Sequence, residues 1–145
     1  MTVAFPIDSP GFPGSLVFAL LEQAQSVGVG RLALVGGAVR DLLLHQLHCD
    51  PWRTSPDFDL LLESSSIDFV KHVRDQFGDE RFSELYLYEQ FGTAEVVLDC
   101  VHFDVASART ESYPAPGQNP LVLAGTIEQD LARRDFTVNA MALLL

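Results

Sequence analysis

Residues 56–63 form a largely apolar segment that predicts a β-strand, in which successive side chains point to opposite faces. A proline opens this segment and a run of three serines follows it, which is typical of strand boundaries. One face of the predicted strand is apolar and carries Phe58, Leu60 and Leu62. The other face carries Asp57, Asp59, Leu61 and Glu63. Two carboxylates therefore point the same way, at a separation that a divalent cation can bridge. The alternative is a pair of acidic residues on a solvated sheet face.

Other elements follow from the same kind of pattern. Apolar residues at helical spacing predict helices over residues 15–27, with Ser15 as N-cap, and over residues 66–77. Short apolar runs predict strands at residues 31–35, 82–88, 94–98 and 101–106. Thr126 and Gln129 form a capping-box pattern, which predicts a third helix that continues through Arg134. Prolines and glycines predict an irregular lead-in over residues 1–14 and a loop over residues 107–123, and the mixed polar residues 45–54 are typical of a loop. The apolar residues 141–145 indicate a strand or helix without an evident pairing partner.

The strands at 94–98 and 101–106 flank Asp99-Cys100 and predict a β-hairpin, although this dipeptide is an unfavourable two-residue turn. In the second strand His102 and Asp104 share the face opposite to the apolar residues. If this strand lies beside residues 56–63, Asp104 joins the carboxylates there on one sheet face. The alternative for Asp104 is a structural ion pair with Arg109.

Gly36 and Gly37 separate a predicted buried strand from a helix that begins near Ala38. Two glycines allow the backbone to turn tightly and allow a ligand to approach it. The free N–H groups and the dipole at the start of the helix favour phosphate. The alternative is a plain strand-to-helix turn. The segment is not a Walker A loop, since no Gly-Lys-Ser/Thr follows.

Composition narrows the classes of function. The 145 residues are 48% hydrophobic, which suits one folded domain with a substantial core. The formal net charge of −11 argues against tight binding of nucleic acid by this chain alone, because phosphate contacts supply most of that affinity. The sequence lacks an apolar run of about 18 residues and a secretory signal, so we expect a cytoplasmic protein without membrane contact.

The cysteines and histidines do not indicate a zinc site. A structural zinc site needs four ligands with paired spacing, whereas His45, His48 and Cys49 have no second cluster to complete them. We therefore interpret these three as ordinary residues near a helix end. Cys49 and Cys100 are expected to be reduced thiols.

Five segments, taken together and in order, resemble the catalytic head domain of the class II tRNA nucleotidyltransferases and bacterial poly(A) polymerases. The resemblance spans residues 29–145 and places the chain in the polymerase-β-like nucleotidyltransferase superfamily. Three segments carry it: Leu34-Val35-Gly36-Gly37-Ala38-Val39-Arg40-Asp41, Asp57-Phe58-Asp59, and Arg133-Arg134-Asp135-Phe136-Thr137-Val138-Asn139-Ala140. Two more agree with them: Asp104 with Arg109-Thr110-Glu111-Ser112-Tyr113, and Gly125-Thr126-Ile127-Glu128-Gln129-Asp130-Leu131.

The resemblance implies an α+β fold for residues 15–145, with a small mixed or antiparallel sheet, helices on one face and the active site on the other. It also implies a reaction in which a 3′-hydroxyl of tRNA or another RNA attacks the α-phosphate of ATP or CTP and pyrophosphate leaves. Mg²⁺ or Mn²⁺ ions would activate the attacking oxygen and stabilise the leaving one.

The resemblance further implies roles for individual residues. The residues implied to be catalytic and to hold the metal ions are Asp57, Asp59 and Asp104. The residues implied to bind the nucleotide are Gly36, Gly37, Arg40, Asp41, Arg109, Arg134, Asp135 and Asn139. Within this set, the glycine turn cradles the triphosphate, Arg134 contacts phosphate or buttresses the site, and Asn139 contacts ribose or phosphate. Simpler roles remain open for Asp41 as a buttress of the turn, for the arginine pair as a solvated helix face, and for Asp135 as an N-cap.

Enzymes of this family continue into helical neck, body and tail domains, which the 145 residues do not include. Because the neck selects the incoming base, addition of CC, A, CCA or poly(A) all remain open. We expect the head domain of a longer RNA nucleotidyltransferase. A second hypothesis is a stand-alone module that binds nucleotide and metal and needs a partner chain for activity. A third is a nucleotidyltransferase that acts on protein or small molecules. The intact carboxylates favour catalysis over a degenerate module.

Overall fold

The computed structural model describes residues 11–51, 57–135, 137 and 140–145. The described helices are α1 (Gly14–Ser26), α2 (Gly37–His48), α3 (Ser66–Phe77) and α4 (Ile127–Ala132). The described strands are β1 (Leu32–Val35), β2 (Asp57–Leu62), β3 (Phe82–Tyr88), β4 (Thr93–Leu98), β5 (Val101–Ser107), β6 (Arg109–Ser112), β7 (Leu121–Ala124) and β8 (Ala142–Leu144). Among the helices of this described part, none is long and apolar enough to cross a membrane.

Six of these strands form one sheet in the order β3-β4-β5-β2-β1-β8. Strand β2 lies inside the sheet, antiparallel to β1 and parallel to β5. The other pairings in the sheet are antiparallel. The predicted α+β fold with a small mixed sheet is therefore confirmed.

One face of the sheet is buried beneath α1, α2 and α3. The apolar side of β2 lies at its centre, since Phe58, Leu60 and Leu62 are at most 2% exposed. Helix α3 covers them because its apolar residues recur at helical spacing. Its start is fixed by Ser65, whose side chain accepts a hydrogen bond from the N–H of Asp68. The predicted helix over residues 66–77 is confirmed, and the apolar core lies where the alternation in β2 predicts it.

Helix α4 packs on the other face of the sheet, so the expectation of helices on one face only is wrong. Ile127 is buried against Ala33, Val35 and Leu61 of β1 and β2. Glu63 accepts a hydrogen bond from the N–H of Ile127 at 2.9 Å, which holds the start of the helix. The correction has a simple cause: Leu61 shares a face with the carboxylates and needs an apolar cover. Helix α4 covers the end of β2 and leaves its start open.

Residues 107–123 are not the uninterrupted loop that their prolines and glycine predict. Strands β6 and β7 form a two-stranded antiparallel ribbon, with Arg109 opposite Ala124 and Ser112 opposite Leu121. All four residues of β7 are exposed. Without a buried face the strand has no alternating pattern, and backbone pairing alone defines it.

The predicted β-hairpin is confirmed, since β4 and β5 pair antiparallel up to Leu98 and Val101. Asp99 and Cys100 form the turn with φ angles of 48° and 65°. A two-residue turn of type I′ requires positive φ at both positions, which is why the dipeptide is a poor sequence indicator. Arg81 pairs with Asp99 and supports the turn.

Three predicted helix boundaries shift. Pro13, not Ser15, occupies the N-cap position of α1. Helix α2 continues to His48, so the loop predicted from residue 45 starts too early. It ends at Cys49, which has left-handed backbone geometry. Helix α4 ends at Ala132, earlier than predicted. Its capping box at Thr126 and Gln129 is confirmed.

The apolar end of the chain does have a pairing partner, contrary to the expectation from the sequence. Strand β8 pairs antiparallel with β1, with Leu143 opposite Leu34. The N–H of Gly36 donates to the carbonyl of Met141 at 3.3 Å. The partner could not be seen in the sequence because β1 is far away along the chain. The last residues therefore support the strand that leads into the glycine turn.

Adjacent leucines of β8 provide a test of this pairing. Leu143 packs against the main core, whereas Leu144 is 54% exposed. We expect Leu143→Ala to lower the free energy of unfolding by about 1–3 kcal/mol through lost burial. Leu144→Ala should change it by less than about 0.5 kcal/mol. Urea unfolding followed by circular dichroism measures both, and equal effects would contradict the pairing.

Candidate active site

Three aspartates lie on one face of the sheet, where β2 and β5 run side by side. Asp59 is directly opposite Asp104, and Asp57 is opposite His102. Opposite residues on neighbouring strands project from the same face. The structure thus places Asp57, Asp59 and Asp104 on one sheet face, as the alternation in both strands predicts.

The electrostatics of this face are unfavourable for negative charge. Burial raises the pKa of Asp59, and the charges of Asp104 and Asp57 raise it further, whereas Arg134 opposes the shift. Desolvation also raises the pKa of Asp104, with a further contribution from Glu95. The carboxylates therefore repel one another, and a bound cation would relieve that repulsion.

The turn between β1 and α2 lies directly against Asp59. Gly36 has a φ of 75°, and a β-carbon there would lie 2.5 Å from Oδ2 of Asp59. Gly37 begins α2, and a β-carbon there would only make an ordinary contact at 3.5 Å with the guanidinium of Arg40. Glycine is thus required at position 36 by both conformation and space. The turn places the start of a 12-residue helix, with its free N–H groups, beside the carboxylates.

Arg40 and Asp41 belong to the first turns of α2. Nε of Arg40 donates to Oδ1 of Asp41 at 2.8 Å. The Arg40 side chain is 39% exposed, so its guanidinium is accessible near Gly37. Asp41 is in a position to orient Arg40, and its roles in nucleotide binding or as a buttress of the turn stay predictions.

Asp130 of α4 is a buried carboxylate that the sequence prediction did not assign to the site. It is 1% exposed, and its Oδ2 accepts hydrogen bonds from the N–H of Arg109 at 3.1 Å and from Arg133 at 3.0 Å. Its Oδ1 lies 3.6 Å from Nη2 of Arg134. Because the charge of Arg134 also lowers the pKa of Asp59, Asp130 connects α4 electrostatically to the aspartates. The spacing of Asp130 from the two following arginines was the sequence pattern that could have revealed it.

The remaining predicted site residues are Arg109, Asp135 and Asn139. Among the ion pairs of the described residues, Arg109 pairs with Glu111 at 3.0 Å and not with Asp104. Asp135 is exposed. Asn139 lies outside the described residues, and its role stays a prediction.

Among the residues that the structure describes, no group of three or more His, Cys, Asp or Glu side chains is arranged so that it could hold a metal ion. The role of Asp104 as a third metal ligand therefore stays a prediction, supported by its position opposite Asp59. Nδ1 of His45 lies 2.7 Å from the carbonyl oxygen of Asp50. This contact agrees with the interpretation of His45 as an ordinary residue near a helix end.

Comparison with protein-family models matches residues 32–145 to the family described as the poly A polymerase head domain. The chain belongs to this family. The matched range contains the aspartates, the glycine turn and the arginines that follow α4. The resemblance identified from five short segments is therefore confirmed.

Relatives of this head domain include an A-adding tRNA nucleotidyltransferase of Aquifex aeolicus, which is 36% identical over 113 residues, or 78% of this chain and 12% of the relative. A CC-adding tRNA nucleotidyltransferase of Deinococcus radiodurans is 40% identical over 115 residues, or 79% of this chain and 28% of the relative. A solved tRNA nucleotidyltransferase complexed with a primer tRNA and an incoming ATP analog has a TM-score of 0.64 and 28% identity, covering 86% of this chain and 30% of that chain. The head domain thus spans less than a third of the length of these relatives.

The two glycines of the turn should respond differently to substitution. Gly36→Ala is expected to lower the free energy of unfolding by about 1–3 kcal/mol, because it strains the backbone and crowds Asp59. Gly37→Ala should leave stability unchanged or raise it by up to about 1 kcal/mol, since alanine favours the helix. Thermal and urea unfolding compare the two variants. If Gly37→Ala were as unstable as Gly36→Ala, the claim that only position 36 requires glycine would be contradicted.

Asp130 should matter more for stability than an exposed acid on the same helix. Asp130→Ala is expected to lower the free energy of unfolding by about 2–4 kcal/mol, because it leaves a buried N–H and two guanidinium groups without their carboxylate. Glu128→Gln is the control, since Glu128 is 63% exposed and pairs with Arg31 at the surface. Its effect should be much smaller. Similar effects of the two substitutions in urea unfolding would show that Asp130 does not organise the arginines.

Proposed function

We propose that this chain is the catalytic head of an RNA nucleotidyltransferase that transfers AMP or CMP from ATP or CTP to an RNA 3′-hydroxyl, with tRNA as the acceptor. The observation that carries the proposal is the position of Asp57, Asp59 and Asp104 on one sheet face, beside the glycine turn that opens α2. The names of the relatives, A-adding and CC-adding tRNA nucleotidyltransferases, support the reaction class and the acceptor.

The aspartates suit a divalent cation, Mg²⁺ or Mn²⁺. Asp57 and Asp59 are alternate residues of one strand, and Asp104 lies opposite Asp59 on the next. Carboxylate oxygens are the ligands that these hard cations prefer. Burial raises the pKa of Asp59 and of Asp104, and repulsion from neighbouring carboxylates raises it further; a cation would offset this repulsion. When bound, the cations would activate the attacking hydroxyl and stabilise the leaving oxygen.

The glycine turn and α2 would bind the triphosphate. Free N–H groups at the start of α2 suit phosphate oxygens, and the absent side chains at Gly36 and Gly37 permit close approach. Arg40 is partly exposed beside Gly37 and would contribute positive charge. Phosphoryl transfer of this kind depends mainly on such positioning and charge neutralisation.

Arg134, whose charge reaches Asp59, would stabilise negative charge on the bound nucleotide. Its charge already acts on Asp59, and its Nη2 lies 3.6 Å from Oδ1 of Asp130, just beyond the end of α4. A guanidinium kept near a buried carboxylate in this way is partly preorganised for a negatively charged ligand. Asp135 and Asn139 are proposed to complete the nucleotide site.

Affinity for RNA would come from parts of a longer enzyme. This chain spans 12% and 28% of the two relatives. Its net charge of −11 disfavours contact with the RNA backbone. We therefore propose that the head supplies the chemistry, whereas base selection and most of the RNA grip lie in additional domains.

Metal binding can be tested through stability. We expect Mg²⁺ at millimolar concentration to raise the melting temperature of the 145-residue chain. Because the pKa of Asp59 is raised, its ionised form costs stability at neutral pH, and Asp59→Asn should raise the metal-free melting temperature. The same variant should lose most of the response to Mg²⁺. Asp75→Asn, an exposed acid on α3, should respond like the unmodified chain.

Transfer can be tested with ATP or CTP, Mg²⁺ and tRNA that lacks its terminal nucleotides, at low salt. We expect the 145-residue chain to add nucleotide slowly and with little choice between ATP and CTP. Asp57→Ala should abolish incorporation while circular dichroism remains unchanged, because Asp57 is exposed and outside the core. Efficient, base-selective addition by this chain alone would contradict the need for further domains. Incorporation that survives Asp57→Ala would contradict the catalytic role.

A further inference from the structure

A cleft of about 270 Å³ adjoins the carboxylates, on the part of the same sheet face formed by β3, β4 and β5. Its lining includes Asp57, Asp104, Glu84, Glu95, His102 and Tyr86. The reaction sketched above uses only the two aspartates of this set. The cleft is therefore a neighbouring concavity whose remaining walls have no assigned role.

The strand registers give the position of the cleft relative to the carboxylates. Tyr86 is opposite Glu95, Glu95 is opposite Asp104, and Asp104 is opposite Asp59. These four residues form a row across the sheet. Neighbouring strands lie about 4.8 Å apart, so the backbone of Tyr86 is about 10 Å from that of Asp104. This span is close to what one nucleoside bridges when its ribose lies near the carboxylates and its base near the ring.

The cleft and the glycine turn lie on opposite sides of Asp59. Val35, which precedes Gly36, pairs with Asp59 from β1, whereas Asp104 pairs with it from β5. In an in-line displacement the attacking and leaving oxygens lie on opposite sides of the phosphorus. With the triphosphate at the glycine turn, as in the proposed function, the attacking hydroxyl arrives from the side of the cleft. We propose that this cleft binds the 3′-terminal nucleoside of the acceptor RNA, with its base on Tyr86; the inference rests on the proposed function.

Tyr86 provides the stacking surface. Its side chain projects from the edge strand β3 on the face of the carboxylates and is 52% exposed. Aromatic rings of this kind bind single-stranded RNA by stacking on its bases.

The carboxylates of the cleft select a nucleoside rather than a phosphate. Glu84 and Glu95 are acceptors for ribose hydroxyl groups and for the exocyclic amino groups of bases. Neither Lys nor Arg is found among the described residues that line the cleft. A phosphate group would thus meet mainly carboxylate charge there, beside His102, and the phosphates of the acceptor remain outside the cleft.

Tyr88 supports this arrangement from the same strand face as Tyr86. Its hydroxyl donates to Oε2 of Glu95 at 3.4 Å. The contact restrains Glu95 between the ring of Tyr86 and Asp104, in the row described above. Glu95 is therefore placed to accept from the ribose while the base stacks next to it.

The test uses the 145-residue chain and the dinucleoside monophosphate CpC as acceptor mimic, in Mg²⁺ and without ATP or CTP. Titration followed by ¹H–¹⁵N NMR should shift residues around Tyr86 and Glu95. Tyr86→Ala should weaken CpC binding by about five- to tenfold or more, whereas Tyr86→Phe, which retains the ring, should bind like the unmodified chain. Phe18→Ala is the control, since Phe18 is a 53% exposed aromatic residue on α1, outside the cleft.

The response to ATP separates this inference from the proposed function. Tyr86→Ala should leave ATP binding and the Mg²⁺-dependent rise in melting temperature unchanged. If CpC binds equally to Tyr86→Ala, or shifts only residues near Gly36 and Gly37, the acceptor cleft is refuted while the proposed function stands. If the only effect at the cleft is that of Mg²⁺ alone, the acceptor cleft is likewise refuted. If the unmodified chain responds neither to Mg²⁺ nor to ATP, the proposed function fails and the inference falls with it.

Discussion

The parallel pairing of β2 with β5 positions both the apolar core and the candidate active site. Every other described pairing in the six-stranded sheet is antiparallel. Two parallel strands cannot be joined by a short turn, so the chain must cross over before it returns. Here α3, β3 and β4 make that crossover. It places Asp104 beside Asp59 on one face and buries α3 on the other, so the core and the site arise from one connection.

The two faces of β2 have different roles: one packs in the core and the other carries the aspartates. On one face Phe58, Leu60 and Leu62 lie under the helices and fix the strand in place. Since side chains alternate along a strand, this packing also fixes the direction of Asp57 and Asp59. Carboxylates on a buried strand are held more precisely than they would be on a loop. Position is therefore supplied by the apolar face, and chemistry by the polar one.

Charge is distributed unevenly over the molecule. At the surface, Arg31 stabilises the ionised form of Glu128, lowering its pKa to about 2. At the candidate site the pKa shifts in the opposite direction, because burial and the charges of neighbouring carboxylates raise the pKa of Asp59 and Asp104. The site is thus a region of electrostatic strain that the core must support. Asp130 counters part of it by holding Arg134 where its charge acts on Asp59.

Much of the fold and most of the candidate site could be predicted from local patterns in the amino-acid sequence. Alternation in β2 and β5 predicted the faces of Asp57, Asp59 and Asp104, and helical spacing with a cap predicted α3, because these patterns are local consequences of burial and backbone hydrogen bonding. Gly36 was visible because its φ of 75° is one that favours glycine.

Features that depend on partners distant in sequence became visible only in the folded chain. The edge strand β8 is defined by β1, the ribbon strand β7 by β6 with no buried face of its own, and the cover of Leu61 by α4. Asp130 looked like any acid on an amphipathic helix until packing buried it against three arginine residues. The row from Tyr86 to Asp59 likewise exists only through strand register, because four residues on four strands carry no common local pattern.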